Sequence, residues 1–207
     1  MPLEKIIKVS GSCLLGLWKI EEEENELLNL WEMATNDYFQ SINVAEKRKE
    51  WLASRVLIKQ LVNCSEQKFE GICKDSHQKP HLINSKAHIS LSHTSGWASA
   101  ILDLKKPTGI DIEKRSERVG RIAPKFLNEQ EKLATKDDLD EIMIYWCAKE
   151  ALYKLNGKKG LAFKEQILVR KEFAKNTFEG EIIQDGVAKS IQMNTIRKHD
   201  FILVHSL

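Results

Sequence analysis

Two acids two residues apart carry the first chemical signal in this chain. Asp111 and Glu113 stand in Gly109-Ile110-Asp111-Ile112-Glu113, which reads as a strand. Side chains two apart in a strand leave the same face, so the carboxylates point together while Ile110 and Ile112 turn to the core. Neighbouring carboxylates repel unless a positive charge lies between them. A magnesium ion answers that need, because it takes oxygen ligands from one or two carboxylates and keeps positions for phosphate. The same spacing also fits a half-exposed edge strand with solvated acids.

The second signal runs from Trp146 to Lys154. Trp146, Glu150 and Lys154 are spaced four apart and share one helix face. They read either as a third metal carboxylate beside a phosphate-holding lysine, or as a common surface Glu–Lys pair. Gly157-Lys158-Lys159-Gly160 adds positive charge and also suits a helix stop. The third signal is Ile89-Ser90-Leu91-Ser92-His93-Thr94, with hydroxyls alternating along a strand and His93 at its turn. A structural histidine is the alternative there. No Gly-x-Ser-x-Gly elbow supports a hydrolase.

The elements that position these residues follow from periodicity. Ile6–Val9 and Leu14–Ile20 read as strands around Ser10-Gly11-Ser12, and 21–31 as a helix with an acidic start. Ala45–Val62 is amphipathic, with an apolar face edged by bases. The stretch 63–86 is polar and turn-rich. Strands follow at 88–92, 97–104 and 108–113, then short helices within 122–135 and a long helix over 139–155. The tail reads as strands at 167–170, 177–183, 187–193 and 201–205, with Asp185-Gly186 as a hairpin turn. Lys105-Lys106-Pro107 is the best break between two lobes.

Composition bounds the function. Of 207 residues, 42% are hydrophobic, enough for a core. Lysine plus arginine is 32 against 30 acids, a net +2 that speaks against a general nucleic-acid binder. The four cysteines form no Cys-x-x-Cys pair, which predicts no zinc or thioredoxin-like motif and four reduced, mostly buried thiols in a cytoplasmic protein. The N-terminus does not read as a signal peptide. The longest apolar run, Ile142–Ala148, is far too short for a membrane span.

The order of the motifs is more specific than any one of them. Lys79-Pro80, Ser92-His93-Thr94, Gly109 to Glu113, Phe126-Leu127-Asn128-Glu129-Gln130-Glu131 and Trp146 to Lys154 together resemble the 4′-phosphopantetheinyl transferase superfamily, in its larger, surfactin-synthetase-activating type. The resemblance runs from about Ala45 to Phe163. It implies transfer of the phosphopantetheine arm of coenzyme A to a serine of an apo acyl, peptidyl or aryl carrier protein, with adenosine 3′,5′-bisphosphate as the other product. Carried over by motif, Asp111, Glu113 and Glu150 hold Mg2+, with Mn2+ possible. Glu131 is the general base, and Lys154 contacts the pyrophosphate with Lys149 beside it. Lys79, Ser92 and His93 bind coenzyme A, joined by a first-lobe base, Arg48 or Lys47. Gln78 replaces a usual glycine and Thr94 a usual serine.

The expected fold is α/β (α+β). It has two pseudo-symmetric lobes, each a small antiparallel sheet on a long helix, with the active site in the cleft between them. Residues 1–106 form the coenzyme A-binding lobe and 107–207 the metal and catalytic lobe. A monomer is expected, with no nucleic-acid or membrane partner. An acidic carrier would meet Lys158, Lys159, Lys164, Arg170 and Lys171, unless these are only a solvated face. Two alternatives stand beside this reading. One is a catalytically silent coenzyme A- or carrier-binding module. The other is a metal-dependent nuclease built on Asp103, Asp111, Glu113 and Lys114.

Overall fold

A computed structural model describes residues 3–207. The chain divides into two compact units, residues 1–75 with 80–107 and residues 76–79 with 108–207. Every strand pairing is antiparallel, and helices pack on the sheets, a mixed α and β architecture.

In the first unit β1 (Leu3–Lys8), β2 (Cys13–Lys19), β5 (His88–Thr94) and β6 (Trp97–Asp103) form a sheet in the order β1-β2-β6-β5. Helix α3 (Ala45–Cys64) packs on it, α1 (Glu24–Trp31) packs on α3, α2 (Asp37–Gln40) adds Phe39 to the same core, and β3 (Ile72–Lys74) pairs with β4 (Pro80–Leu82). Helix α3 buries Trp51, Leu52, Val56, Leu57, Leu61 and Val62 against β2, β5 and β6. Burial of each large side chain contributes about 1.5–3 kcal/mol.

In the second unit β7 (Ile110–Lys114), β8 (Ile167–Arg170), β9 (Thr177–Gln184), β10 (Val187–Arg197) and β11 (Phe201–Ser206) form a sheet in the order β7-β11-β10-β9-β8. Helix α6 (Leu139–Asn156) crosses it, flanked by α4 (Glu117–Phe126) and α5 (Glu129–Thr135). Asp138 caps α6 by accepting from the Glu141 N–H, and Gly157 ends it in the left-handed region at φ 71°. Asp185 and Gly186 both take positive φ, the hairpin turn that their types predict.

The main strands and both long helices lie where periodicity puts them. Helix α4 starts at Glu117, ahead of the expected 122, and a second exception is the stretch 63–86. It holds the short hairpin β3–β4, whose three-residue strands are too brief to show alternation. The four-residue α2 also escapes the pattern. The cysteines correct an expectation, since Cys13 and Cys147 are buried but Cys64 and Cys73 are exposed; all four are free. No helix among the described residues is long and apolar enough to cross a membrane.

Candidate active site

Strand β7 is an edge strand, yet Asp111 is only 4% exposed, because α6 packs over it. That excludes the solvated-edge reading for this acid. The approach is close enough that β7 enters through Gly109, where any Cβ would sit 2.0 Å from the Ala151 carbonyl oxygen of α6.

The close crossing sets the acids beside the helix face read from the sequence. Lys154 Nζ donates to Asp111 Oδ1 at 2.7 Å. Trp146 Nε1 donates to Glu113 Oε1 at 3.3 Å, and its ring packs against Phe126 and Phe163. Burial pushes the Glu150 carboxyl up to about 7; Asp111 and Glu113 add to the rise, and Lys154 opposes it. The Cys147 thiol is also driven up, first by burial and then by Asp111 and Glu113. Three acids and one lysine thus share an electrostatic neighbourhood in one unit. The bland alternative of a surface Glu–Lys pair does not hold, since Lys154 reaches across to β7.

Lys79 lies at the far end of the same helix. Its Nζ donates to the Leu155 carbonyl at 2.6 Å, and its chain fills the space over Gly157. A cation there suits the negative end of the helix dipole.

Two residues grouped by sequence with this chemistry face another way. Lys149 is fully buried and donates to Glu131 Oε2 at 2.7 Å, Phe163 O at 2.6 Å and Ile167 O at 2.7 Å. Glu131 also accepts from the Asn128 N–H at 2.9 Å and the Val169 N–H at 3.0 Å. Its carboxylate closes the capping box of α5. The spacing after Phe126 could place Glu131 on α5 but could not show that β8 and α6 would engage its oxygens.

In the first unit His93 Nδ1 lies 2.9 Å from Glu50 Oε2, which accepts from Lys47 Nζ at 2.7 Å. Burial pushes the Glu50 carboxyl up, but the hydrogen bonds from His93 and Lys47 outweigh it and hold it below the usual range. The carboxylate orients the imidazole through Nδ1 and leaves Nε2 for another partner. Ser92 precedes His93 and is buried. Arg48 does not join this group. Its Nε engages both oxygens of Glu24 at 2.9 and 2.8 Å and its Nη1 the Ile42 carbonyl, so it ties α3 to α1. Lys47 is the base that reaches His93's partner.

The expected basic groove is also corrected in part. Lys158 and Lys159 are exposed, but Lys171 is buried and paired with Glu141 at 2.7 Å, and Arg170 pairs with Glu179 and Glu181. Asp103, the upstream acid of the nuclease alternative, accepts from Ser12 Oγ and from the Lys105 and Lys106 N–H groups. It secures a turn of the first unit.

Comparison with known proteins gives the same direction. Residues 107–192 match the family model of the 4′-phosphopantetheinyl transferase superfamily. Over 124 residues the chain is 27% identical to the 4′-phosphopantetheinyl transferase gsp of Aneurinibacillus migulanus; the match takes in 56% of this chain and 52% of that protein. Over residues 107–192, less than half of its length, the chain is similar to the 4′-phosphopantetheinyl transferase superfamily. The match spans about half the length of that relative.

The segment matched to the transferase superfamily contains Asp111, Glu113, Glu131, Lys149, Glu150 and Lys154; Arg48, Lys79, Ser92 and His93 lie outside it. The donor set near Glu150 fits a hard dication by its chemistry, being all carboxylate oxygen and mutually repelling. Among the described residues, no three such side chains already stand close enough together to hold an ion. Lys154 pairs with Asp111.

Sequence reasoning for the superfamily passed over Arg55 and Lys74. Arg55 lies 3.5 Å over the Trp51 ring, and burial pushes its guanidinium down to about 9. Lys74 is lowered by burial and then by Arg55. Neither pairs with a carboxylate among the described residues. A cation depressed by a neighbouring cation favours an anion beside it. The only sequence signal was a basic residue at the edge of the apolar face of α3.

Proposed function

We propose that this protein moves the phosphopantetheine arm of coenzyme A onto a serine hydroxyl of an apo carrier protein, releasing adenosine 3′,5′-bisphosphate. The observation that carries the reading is the meeting of Asp111, Glu113, Glu150 and Lys154 inside the segment that matches the superfamily. Asp111, Glu113 and Glu150 are the residues that would hold Mg2+ or Mn2+. When bound, the ion offsets charge on the pyrophosphate oxygens.

The chain's own groups do the rest. In this reading Lys154 turns from Asp111 to the phosphoryl oxygens, where its charge stabilises the developing negative charge. Lys79 adds a cation at the end of the same helix. His93, oriented by Glu50, and the Arg55–Lys74 pair are assigned to the nucleotide phosphates. Residues 1–106 are thereby given coenzyme A binding, and 107–207 the metal and the chemistry. Glu131, the proton acceptor that the resemblance puts forward, is already engaged by Lys149.

The test is intact-mass spectrometry of apo carrier incubated with the protein, coenzyme A and Mg2+. A gain of one phosphopantetheine that chelator abolishes is expected. No gain on acyl, peptidyl and aryl carriers, with coenzyme A still bound in calorimetry, would favour the silent binding module. The anion pair gives a further expectation. Lys74→Glu should raise KM for coenzyme A about tenfold or more with kcat little changed, as loss of ground-state binding does. An unchanged KM at low salt removes Lys74 from the site.

A further inference from the structure

The Glu131–Lys149 pair is a buried charged group of the second unit's matched segment that the proposed chemistry leaves without a task. Lys149 has three N–H donors, and all three are taken, by Glu131, Phe163 O and Ile167 O. Glu131 uses three of its four lone-pair directions, on Asn128 N, Val169 N and Lys149. The two groups therefore join four segments: the start of α5, the loop at Phe163, the outer edge of β8 and the middle of α6.

Rotation about the α6 axis is what this junction controls. Lys149 directly precedes Glu150, so the two side chains leave the helix about 100° apart. Fixing one fixes the direction of the other. We infer that Glu131 and Lys149 are positioning residues for the transferase site, setting the rotation of α6 and hence the place of Glu150, without touching substrate. The inference rests on the transferase reading.

The geometry also opposes the role of general base. Taking a proton at Glu131 would dissolve the ion pair and strand a fully buried ammonium. It would also loosen the hydrogen bond that covers the Val169 N–H on the sheet's outer edge. A cavity of about 470 Å³ borders the pair, with Asn128, Tyr145, Arg170, Lys171 and Glu172 among its walls. Glu131 lines it while only 3% exposed. The charged groups that face the pair are Lys164 and Glu165 from the loop before β8, Lys171 and Glu172 after it, and Tyr145 on α6.

The experiment uses the full chain as Glu131→Gln, Lys149→Met and the double variant. It reads kcat/KM against pH with apo carrier and coenzyme A, and Mn2+ affinity by electron paramagnetic resonance without coenzyme A. Circular dichroism establishes which variants fold. Each single variant should lose about 10- to 100-fold in kcat/KM and about tenfold in Mn2+ affinity, as loss of outer support does. The double variant, with no stranded charge, should recover about tenfold over the worse single. The acidic limb of the pH profile should keep its midpoint throughout.

Loss of that limb in Glu131→Gln, with no recovery in the double variant, makes Glu131 the base and overturns the inference. Lower melting temperatures with unchanged Mn2+ affinity reduce the pair to ordinary stabilisation and overturn it too. A wild type that binds Mn2+ but transfers nothing defeats the transferase reading alone, and the Mn2+ titration then decides the positioning role. A wild type that does neither overturns both.

Discussion

Glu150→Gln is expected to lower kcat/KM by about 10³-fold or more while raising stability in divalent-free buffer above neutral pH. The two effects have one cause. The folded protein holds the Glu150 carboxyl at about 7 against an ordinary value of 4.5, through burial first and then Asp111 and Glu113. The folded state therefore binds more protons than the unfolded state between those values. Stability falls as pH rises through that window, and the loss persists above it. After allowance for solvent screening, the penalty is on the order of 2 kcal/mol. A neutral glutamine removes it, so the midpoint at pH 8 should rise by about 4–8 °C. Mg2+ should raise the wild-type midpoint at pH 8 and leave the variant's unchanged. The measurement is a thermal melt across pH 4–8 with and without Mg2+, beside the carrier mass assay. A variant less stable than wild type at pH 8 would show that Glu150 is neutralised by its surroundings and not repelled by them.

Gly109→Ala should cost more stability than any exposed substitution. Its Cβ would meet the Ala151 carbonyl oxygen at 2.0 Å and Leu155 Cβ at 2.9 Å. A helix carbonyl cannot swing aside alone, so β7 must part from α6. The expected loss is about 3 kcal/mol or more, or failure to fold in soluble form. Whatever folds should also lose transfer, because the Lys154–Asp111 contact spans that same crossing. Gly11→Ala is the control, with nothing within 4 Å of its added Cβ and an expected change near zero. Urea unfolding of both variants decides the matter. A Gly109→Ala midpoint equal to that of Gly11→Ala would mean that the strand and helix can separate without cost.

The parts of the fold legible beforehand were those written in short-range pattern. Alternation marked β7 and the strands of the tail, and an apolar stripe marked α3. The hairpin β3–β4 and the one-turn α2 were not legible, because each is shorter than the period that would reveal it. Of the candidate residues, Asp111, Glu113, Glu150 and Lys154 were grouped by spacing; the crossing of β7 and α6 pairs Lys154 with Asp111 and Trp146 with Glu113, and Glu150 feels both acids. Lys149, Glu131 and Arg48 were put forward by the family resemblance, and in the structure they engage Glu131, Lys149 and Glu24.

The sequence by itself determined which side chains share a face, because a period of two or 3.6 residues is a property of the local backbone. The order of its acidic and lysine motifs also carried the resemblance to the transferase superfamily, which the family model matches over residues 107–192. Only the tertiary structure decided which cation meets which acid. Lys154 goes to Asp111, Lys149 to Glu131, Lys171 to Glu141 and Arg48 to Glu24. These partners lie between 18 and 43 residues apart in the chain. Such pairs form where elements cross, and crossings are set by close packing of buried apolar faces, which charge and spacing do not encode.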